Sequence, residues 1–325
     1  MAKKQQDPDP GARERWPRMG RAPSFSGVRL PRIGFHLTLP PRMAIAVAAL
    51  IFSTGGAAIK FADFTGWQVA SFRSGVAALT LLVLLPGIRR GITWRAVLVG
   101  IAYAATLVAF VLANRLTTSA NAIYLQSTAP FFVLLLGPLL LHERMRRRDL
   151  PVIAAVLLGL ALVMSGTDLP SRTAPDPGRG NLIALASGLA YAFMLCGLRW
   201  LGRGGARSDE ALAAVVVGNV MACAATLAMA LPAGGHGVTD WLLIGYLGVV
   251  QIALAYLLVT YGLRRVPALD ASLLLLIETA LNPLWTWLLL SEVPSALALA
   301  GGAVIIGATA LQSVAAARTP MVEAA

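Results

Sequence analysis

The segment SANAIYLQSTAPFFVLLLGPLLLHE (residues 119–143) decides the fold, because it aligns without a gap to ALDASLLLLIETALNPLWTWLLLSE (residues 268–292). Leucine matches alone would be weak evidence in so apolar a chain. Glu143 and Glu292, however, fall in register after the same apolar stretch, at a shift of 149 residues. We interpret this correspondence as an internal repeat.

The composition predicts an integral membrane protein. Of 325 residues, 57% are hydrophobic and 13% are charged, whereas a soluble domain carries about 25% charged residues. This excludes a disordered chain and argues against a water-soluble enzyme. Residues 42–325 leave room for roughly ten spans of about 20 residues. Lack of alternation argues against strands, so we expect an all-α fold.

Ten apolar runs indicate ten transmembrane helices. They cover residues 42–61, 67–87, 93–116, 119–141, 150–167, 181–201, 210–231, 240–263, 268–290 and 296–316. Asp149 and Ser295 are expected to cap the fifth and tenth helices. The stretch PDPGRGN (residues 175–181) is expected to be loop.

The basic residues predict the orientation. With both termini in the cytoplasm, cytoplasmic segments hold 22 Lys and Arg residues and outer segments hold four, as the positive-inside rule requires. The outer four are Lys60, Arg115, Arg172 and Arg179. The location expected is the inner or plasma membrane. The net charge of +12 therefore indicates membrane orientation, and no nucleic-acid reader module is visible.

The repeat spans five helices, an odd number, so its two copies are expected to cross the membrane in opposite senses. The expected segments are a flexible basic cytoplasmic tail (1–41), a first repeat (42–168), an outer loop (169–180), a second repeat (181–316) and a C-terminal cytoplasmic tail (317–325). Inverted repeats are typical of alternating-access transporters, whose site lies near the bilayer midplane between the halves.

Residues 129–163 and 278–311 carry a resemblance to the drug/metabolite transporter superfamily, in its EamA-type branch. Arg73, in ASFRSGVAAL, resembles the arginine usual early in that family's second helix. Glu143 and Glu292 fall where each repeat of the family ends its fourth helix in a Gly-Glu pair. The resemblance implies two inverted five-helix EamA-like repeats that transport small metabolites, often amino acids or related compounds.

The chain departs from the family pattern at three positions. His142 and Ser291 stand where the Gly of each Gly-Glu pair is usual, and Thr279 stands where the second repeat usually has proline. We assign Glu143 and Glu292, together with Pro130 and Pro283, to the structural repeat motif. A carboxylate is unfavourable at a helix C-terminus, so each glutamate is expected to serve the start of the next helix or a neighbouring arginine.

Two charged residues fall inside predicted spans, where an unpaired charge costs several kcal/mol. Arg73 lies about two turns into its helix. It either snorkels to the interface, forms a structural pair, or contacts an anionic group of the substrate. Glu278 lies near the middle of its helix and is too short to snorkel. It either binds substrate or a proton, or makes a structural hydrogen bond.

Uncharged polar and aromatic residues complete the candidate substrate site. They are Tyr103, Asn121, Gln126, Tyr191, Gln251, Asn282 and Trp285. The amides serve either the substrate or the packing of helices against each other. Tyr103, Tyr191, Tyr256, Trp285 and Trp287 form either an aromatic wall for a substrate or ordinary packing.

No enzyme motif is visible, and His36, His142 and His236 lie far apart, so we expect neither an enzyme nor a metal or other cofactor. The sequence favours a secondary transporter, most simply an exporter of a small metabolite. A lipid-linked flippase or a non-transporting membrane partner on the same fold is the alternative. Proton coupling and oligomeric state stay open.

Overall fold

The computed structural model describes residues 39–140, 149–166, 169–203, 209–263, 265–266 and 268–317. Within these ranges every regular element is helical and no strand occurs, which confirms the all-α prediction for this part of the chain. Among the described residues, eight continuous helical stretches are long and apolar enough to cross a membrane, and two further apolar stretches, Leu150–Ser165 and Ala296–Gln312, are shorter. Glu143 and most of both predicted tails lie outside the described residues.

The helices follow one another along the chain with short connections. They are α1 (Pro41–Ser53), α2 (Gly55–Phe61), α3 (Gly66–Leu84), α4 (Trp94–Leu116), α5 (Ser119–Gln126), α6 (Ala129–Leu140), α7 (Leu150–Ser165), α8 (Pro177–Arg203), α9 (Asp209–Ala230), α10 (Val238–Gly245), α11 (Ala255–Leu263), α12 (Ala268–Leu290) and α13 (Ala296–Ala317). A 3-10 helix covers Pro86–Gly91, and a π-helical segment covers Tyr246–Leu254 between α10 and α11.

Two of the predicted runs are broken within the membrane-spanning length. The first breaks at Thr54, whose hydroxyl bonds back to the Ile51 carbonyl at 2.7 Å. The fourth breaks at Ser127–Thr128, where the Thr128 hydroxyl bonds to the Leu125 carbonyl at 2.6 Å. Side-chain hydroxyls compete with the helical backbone in this way, and Pro130 removes a donor from the next turn. Apolar composition alone could not predict either break.

The helix starts require two corrections to the predictions. Asp149 precedes α7, but its side chain makes no cap hydrogen bond to that helix. Ser295 Oγ accepts the Ala298 N–H at 3.2 Å, as predicted for the start of α13. The prediction that residues 175–181 are loop is wrong, because α8 begins at Pro177. Asp176 Oδ1 accepts the Arg179 N–H at 3.1 Å, and a proline is well suited to the first position of a helix. The acid and proline that suggested a loop therefore start a helix.

Five connections meet at one end of the bundle, which we call the Lys60 end. They are residues 62–65, 117–118, 169–176, 231–237 and 291–295. Contacts across this end join Asp63 N to Asp240 Oδ1 at 2.9 Å and Ser295 Oγ to the Gly166 carbonyl at 2.7 Å. Because α2 ends here and α8 begins here, the first helices of the two halves run in opposite directions.

Small residues bring helices of the two halves close together. A Cβ added to Gly159 in α7 would lie 2.8 Å from the Gly301 carbonyl oxygen of α13. A Cβ on Gly301 would lie 2.5 Å from the Gly159 carbonyl oxygen. Glycine at both positions therefore permits the direct backbone approach that membrane helices use for association.

Candidate functional site

Arg73 lies on α3 and is buried, with 1% of its surface exposed. Its Nη2 donates to the Leu107 carbonyl at 3.3 Å, and its Nε has no hydrogen-bond partner. No carboxylate of the described residues lies within the 4.0 Å of a salt bridge. Of the three predictions for Arg73, snorkelling is therefore wrong, and a structural ion pair is not seen in this part of the chain.

Two tyrosines adjoin the Arg73 guanidinium. Tyr103 on α4 and Tyr256 on α11 have ring centroids 5.6 Å apart, and their hydroxyls interact with each other and with the arginine charge. Asn219 Nδ2 lies 3.4 Å from the Tyr103 hydroxyl. A Cβ on Gly218 would meet Tyr103 Cδ1 at 2.6 Å, so the glycine of α9 makes room for this ring.

Glu278 lies on α12 and is partly buried. Its carboxyl group interacts electrostatically with Tyr191 on α8 and with Tyr256. No Lys, Arg or His of the described residues forms a salt bridge with it. Arg73 and Glu278 thus approach the same tyrosine but do not pair with each other.

We call this group the central cluster. It consists of Arg73, Tyr103, Tyr191, Asn219, Tyr256 and Glu278. Its members come from six helices, two in the first half of the chain and four in the second. The structure therefore brings together four residues of the predicted substrate site, namely Arg73, Tyr103, Tyr191 and Glu278. It adds Tyr256, which the sequence suggested only for an aromatic wall, and Asn219.

A second group of buried charges lies at the Lys60 end. Lys60 Nζ lies 2.6 Å from Glu292 Oε2, and the two side chains are 3% and 2% exposed. The ammonium also donates to the Thr117 carbonyl at 2.8 Å and the Thr173 carbonyl at 2.5 Å. Glu292 Oε1 accepts the Ser119 N–H at 2.6 Å. Both charges are therefore satisfied by the protein.

Buried amides continue this group towards the interior. Ser119 Oγ lies 2.9 Å from Asn114 Oδ1 and 2.7 Å from Asn282 Oδ1. Asn181 Oδ1 accepts from the Thr117 hydroxyl at 2.6 Å and from Asn121 Nδ2 at 3.3 Å. We call the whole group the Lys60 network. Its members are Lys60, Asn114, Thr117, Ser119, Asn121, Asn181, Asn282 and Glu292.

The prediction for Glu292 needs correction. We expected it to serve the start of the next helix or a neighbouring arginine. It instead binds Lys60 and the first N–H of α5, which belongs to the other half of the chain. The reason is the backbone at Ser291, whose φ of 54° reverses the chain after α12. The carboxylate can then cap a helix N-terminus, where negative charge is favourable.

Three further candidates lie in helix contacts. Gln126 Nε2 donates to Ser187 Oγ at 2.7 Å, joining α5 to α8. Trp285 Nε1 donates to Ser53 Oγ at 2.9 Å, beside the break in the first run. Gln251 lies in the π-helical segment, is 6% exposed, and has an Oε1 atom without a partner. Their predicted role in substrate binding stays a prediction.

Sequence reasoning placed Lys60 among the outer loop charges and did not identify Asn181 or Asn219. Nothing in the local sequence distinguishes a buried lysine at a helix end from an exposed one. Polar side chains at Asn181 and Asn219, within predicted spans, were the available signal. Among the described residues, no group of three or more His, Cys, Asp or Glu residues is placed to hold a metal ion.

Comparison with known proteins agrees with this architecture. The chain is 27% identical over 271 residues to the pseudopaline exporter CntI of Pseudomonas aeruginosa, in strains UCBPP-PA14 and PAO1, covering 80% of this chain and 91% of the relative. Several solved structures match, among them a crystal structure with a TM-score of 0.57 at 19% identity, covering 86% of this chain and 98% of that one, which shows a shared fold.

The repeat seen in the sequence is matched as well. Residues 41–165 and residues 178–314 each match the EamA-like transporter family, whose two copies correspond to the two halves joined at the central cluster and at the Lys60 network. The protein is therefore a multi-pass membrane transporter: the chain belongs to the EamA-like transporter family.

Proposed function

We propose that this protein is a secondary transporter that exports a small dipolar metabolite, one carrying both a carboxylate and a cationic or strongly hydrogen-bond-donating group. The substrate binds in the central cluster, between the two inverted repeats, and ten spans cross the inner or plasma membrane with both termini inside. Access alternates between the two sides as the repeats move relative to each other.

The observation that carries this proposal is the state of Arg73. A guanidinium offers five N–H donors in a planar fork that matches a carboxylate. In the described residues it has one carbonyl partner, a free Nε and no carboxylate within salt-bridge distance. A buried charge left so poorly satisfied is costly. A substrate carboxylate supplies the missing partner.

Glu278 supplies the opposite charge, next to the same tyrosine, Tyr256. Its carboxyl group has no cationic partner among the described residues and is near the hydroxyls of two tyrosines. A substrate ammonium group fits here, and the tyrosine faces add a favourable environment for a cation. Charge at both ends of one site selects a dipolar compound over a simple acid or amine.

The similarity to CntI supports export as the direction. It also makes pseudopaline the first single compound to test. The absence of a nucleotide-binding motif from the sequence favours movement driven by a gradient over movement driven by ATP.

Efflux from proteoliposomes tests the proposal. Vesicles holding the purified protein are loaded with isotope-labelled pools: L-amino acids, the corresponding decarboxylated amines, the corresponding deaminated acids, and separately pseudopaline. We expect efflux of pseudopaline or of members of the amino-acid pool, and at least tenfold slower efflux of the matched amines and acids. Equal efflux of the three pools, or no efflux of any compound by folded protein, would contradict the proposal.

A further inference from the structure

We propose that the Lys60–Glu292 ion pair closes one end of the transport pathway, and that the pathway opens at this end when the pair separates. The inference rests on the proposed function only in assuming that this bundle conducts a substrate. It assigns a transport role to two residues that lie outside the substrate site.

The pair joins the two halves of the chain at the boundary between them. Lys60 is the penultimate residue of α2, in the first repeat, and Glu292 follows α12, in the second. The two residues are separated by 232 positions, yet their charged atoms lie 2.6 Å apart. Any motion that separates the repeats at this end must break this contact.

The same helix connects the pair to the central cluster. Glu278, Asn282 and Glu292 follow one another along α12 and its C-terminal turn. At 1.5 Å per residue, Glu292 lies roughly 20 Å from Glu278, at the Lys60 end of the bundle. Asn282 lies between them and contacts Ser119 Oγ. A substrate leaving the central cluster towards this end therefore meets Asn282 first and the ion pair last.

The surroundings of the pair make the closed state tight. A Cβ on Gly56 would lie 2.0 Å from Ser119 Oγ and 2.5 Å from Asn282 Oδ1. Helix α2 therefore packs directly on these side chains of the Lys60 network. Asn114, Asn121, Asn181 and Asn282 are at most 1% exposed. Solvent therefore does not reach these four side chains in this conformation.

The energetics suit a contact that opens and closes. A buried ion pair is held by Coulomb attraction and hydrogen bonds, but removing both ions from water costs nearly as much. On opening, water reaches the ammonium, the carboxylate and the exposed carbonyls of residues 117 and 173, which offsets the broken bonds. An apolar plug of similar size would gain nothing from such hydration.

Two unpartnered atoms lie within the network, on the inner side of the pair. Asn282 Nδ2 and Asn121 Oδ1 are buried and have no hydrogen-bond partner. A donor and an acceptor left free along the proposed route can contact a polar substrate as it passes.

Thiol labelling tests the inference without any substrate, so its failure is distinguishable from failure of the proposed substrate class. The reporter is Tyr191→Cys in a chain whose own Cys196 and Cys223 are replaced by alanine. A membrane-impermeant maleimide is applied to intact cells and to inside-out vesicles. Labelling of Ser171→Cys, an exposed position at the Lys60 end, identifies which preparation presents that end.

We compare the intact pair with the double variant Lys60→Met, Glu292→Gln, which leaves no orphan charge. The matched control is Asp176→Asn, Arg179→Gln, which removes an exposed ion pair of 3.8 Å at the same end. The inference predicts that the reporter is labelled at least fivefold faster from the Lys60 end in the first variant only. An unchanged rate in folded protein, or an equal increase in the control, would overturn it.

If the double variant does not fold, Glu292→Asp provides the test, because it keeps both charges but shortens the side chain by one methylene. We expect labelling from the Lys60 end to rise at least twofold, with no change from the opposite side. The same rate as with the intact pair would again overturn the inference.

Discussion

The central cluster and the Lys60 network both bury opposite charges inside a membrane protein, but they satisfy them differently. Lys60 and Glu292 lie 2.6 Å apart, and both make further bonds to backbone groups. Arg73 and Glu278 do not pair, and the Arg73 Nε has no partner. Within the described residues, the Lys60 network supplies partners for both of its charged groups, whereas the central cluster leaves its two charged groups without an ionic partner.

This difference indicates what each region serves. Charge inside the membrane is costly unless it is paired or hydrated. Where the chain supplies the pairing, as in the Lys60 network, the charges serve the protein's own conformation. Where it does not, as in the central cluster, the cost is offset when a ligand of complementary charge binds. Removing a charge from the Lys60 network should therefore destabilise the fold. Removing a charge from the central cluster should instead reduce transport with little loss of stability.

Lys60→Met alone should have the largest effect on stability. It leaves Glu292 buried without its cation, and breaking a buried pair in this way costs about 3–5 kcal/mol. We expect a severe loss of folded protein, measured by thermal unfolding in detergent. The double variant Lys60→Met, Glu292→Gln should be clearly more stable than the single one, and equal stability of the two would remove the argument that the pair is desolvated.

Gly56→Ala should disturb the Lys60 network without touching a charge. The new methyl group would lie 2.0 Å from Ser119 Oγ, and overpacking of this kind costs about 1–3 kcal/mol. Gly307→Ala is the matched control in α13, where an added Cβ meets nothing within 4 Å. Thermal unfolding should show a loss for the first variant only. Equal unfolding midpoints of the two variants would mean that α2 does not pack closely on Ser119 at Gly56.

Arg73→Met should reduce transport without destabilising the fold. Removing a buried charge with one carbonyl contact should leave the free energy of unfolding unchanged or slightly higher, because the desolvation cost disappears. Efflux of the compound that the native protein transports should fall at least tenfold. A strongly destabilised Arg73→Met protein would show instead that the guanidinium has a structural partner.

The sequence predicted the fold well because the fold depends on local and periodic signals. Apolar runs indicated the spans, and the register of Glu143 with Glu292 revealed the repeat, which the family match confirms. The Lys60 network could not be predicted in this way. Its contacts join residues 60, 117, 119, 173 and 292, and a positive-inside count treats each basic residue as a loop charge.

The same limit explains the mixed outcome for the candidate site. Arg73 and Glu278 were identified because depth in a span makes a charge conspicuous. Asn121 and Asn282 looked equally suitable, since an amide inside a span indicates either binding or packing. Only the tertiary structure shows that these two amides belong to the Lys60 network, whereas Tyr103 and Tyr191 belong to the central cluster with Arg73 and Glu278.

Ser291→Gly should have the smallest effect. Ser291 has a φ of 54°, in the left-handed region that favours glycine, and glycine is usual here in the family that the sequence resembles. Relief of this strain should stabilise the protein by up to ~1 kcal/mol and leave the efflux rate unchanged. A lower unfolding midpoint would show that the serine side chain has a role that the backbone geometry does not reveal.

The most direct test of the central claim is to match each charge of the protein to a charge of the substrate. Efflux of a transported amino acid, its amine and its deaminated acid is measured for the native protein, Arg73→Gln and Glu278→Gln. We predict that Arg73→Gln abolishes the preference for the amino acid over the amine, and that Glu278→Gln abolishes the preference over the acid. If both folded variants keep the native preferences, the charges of the central cluster do not bind the substrate.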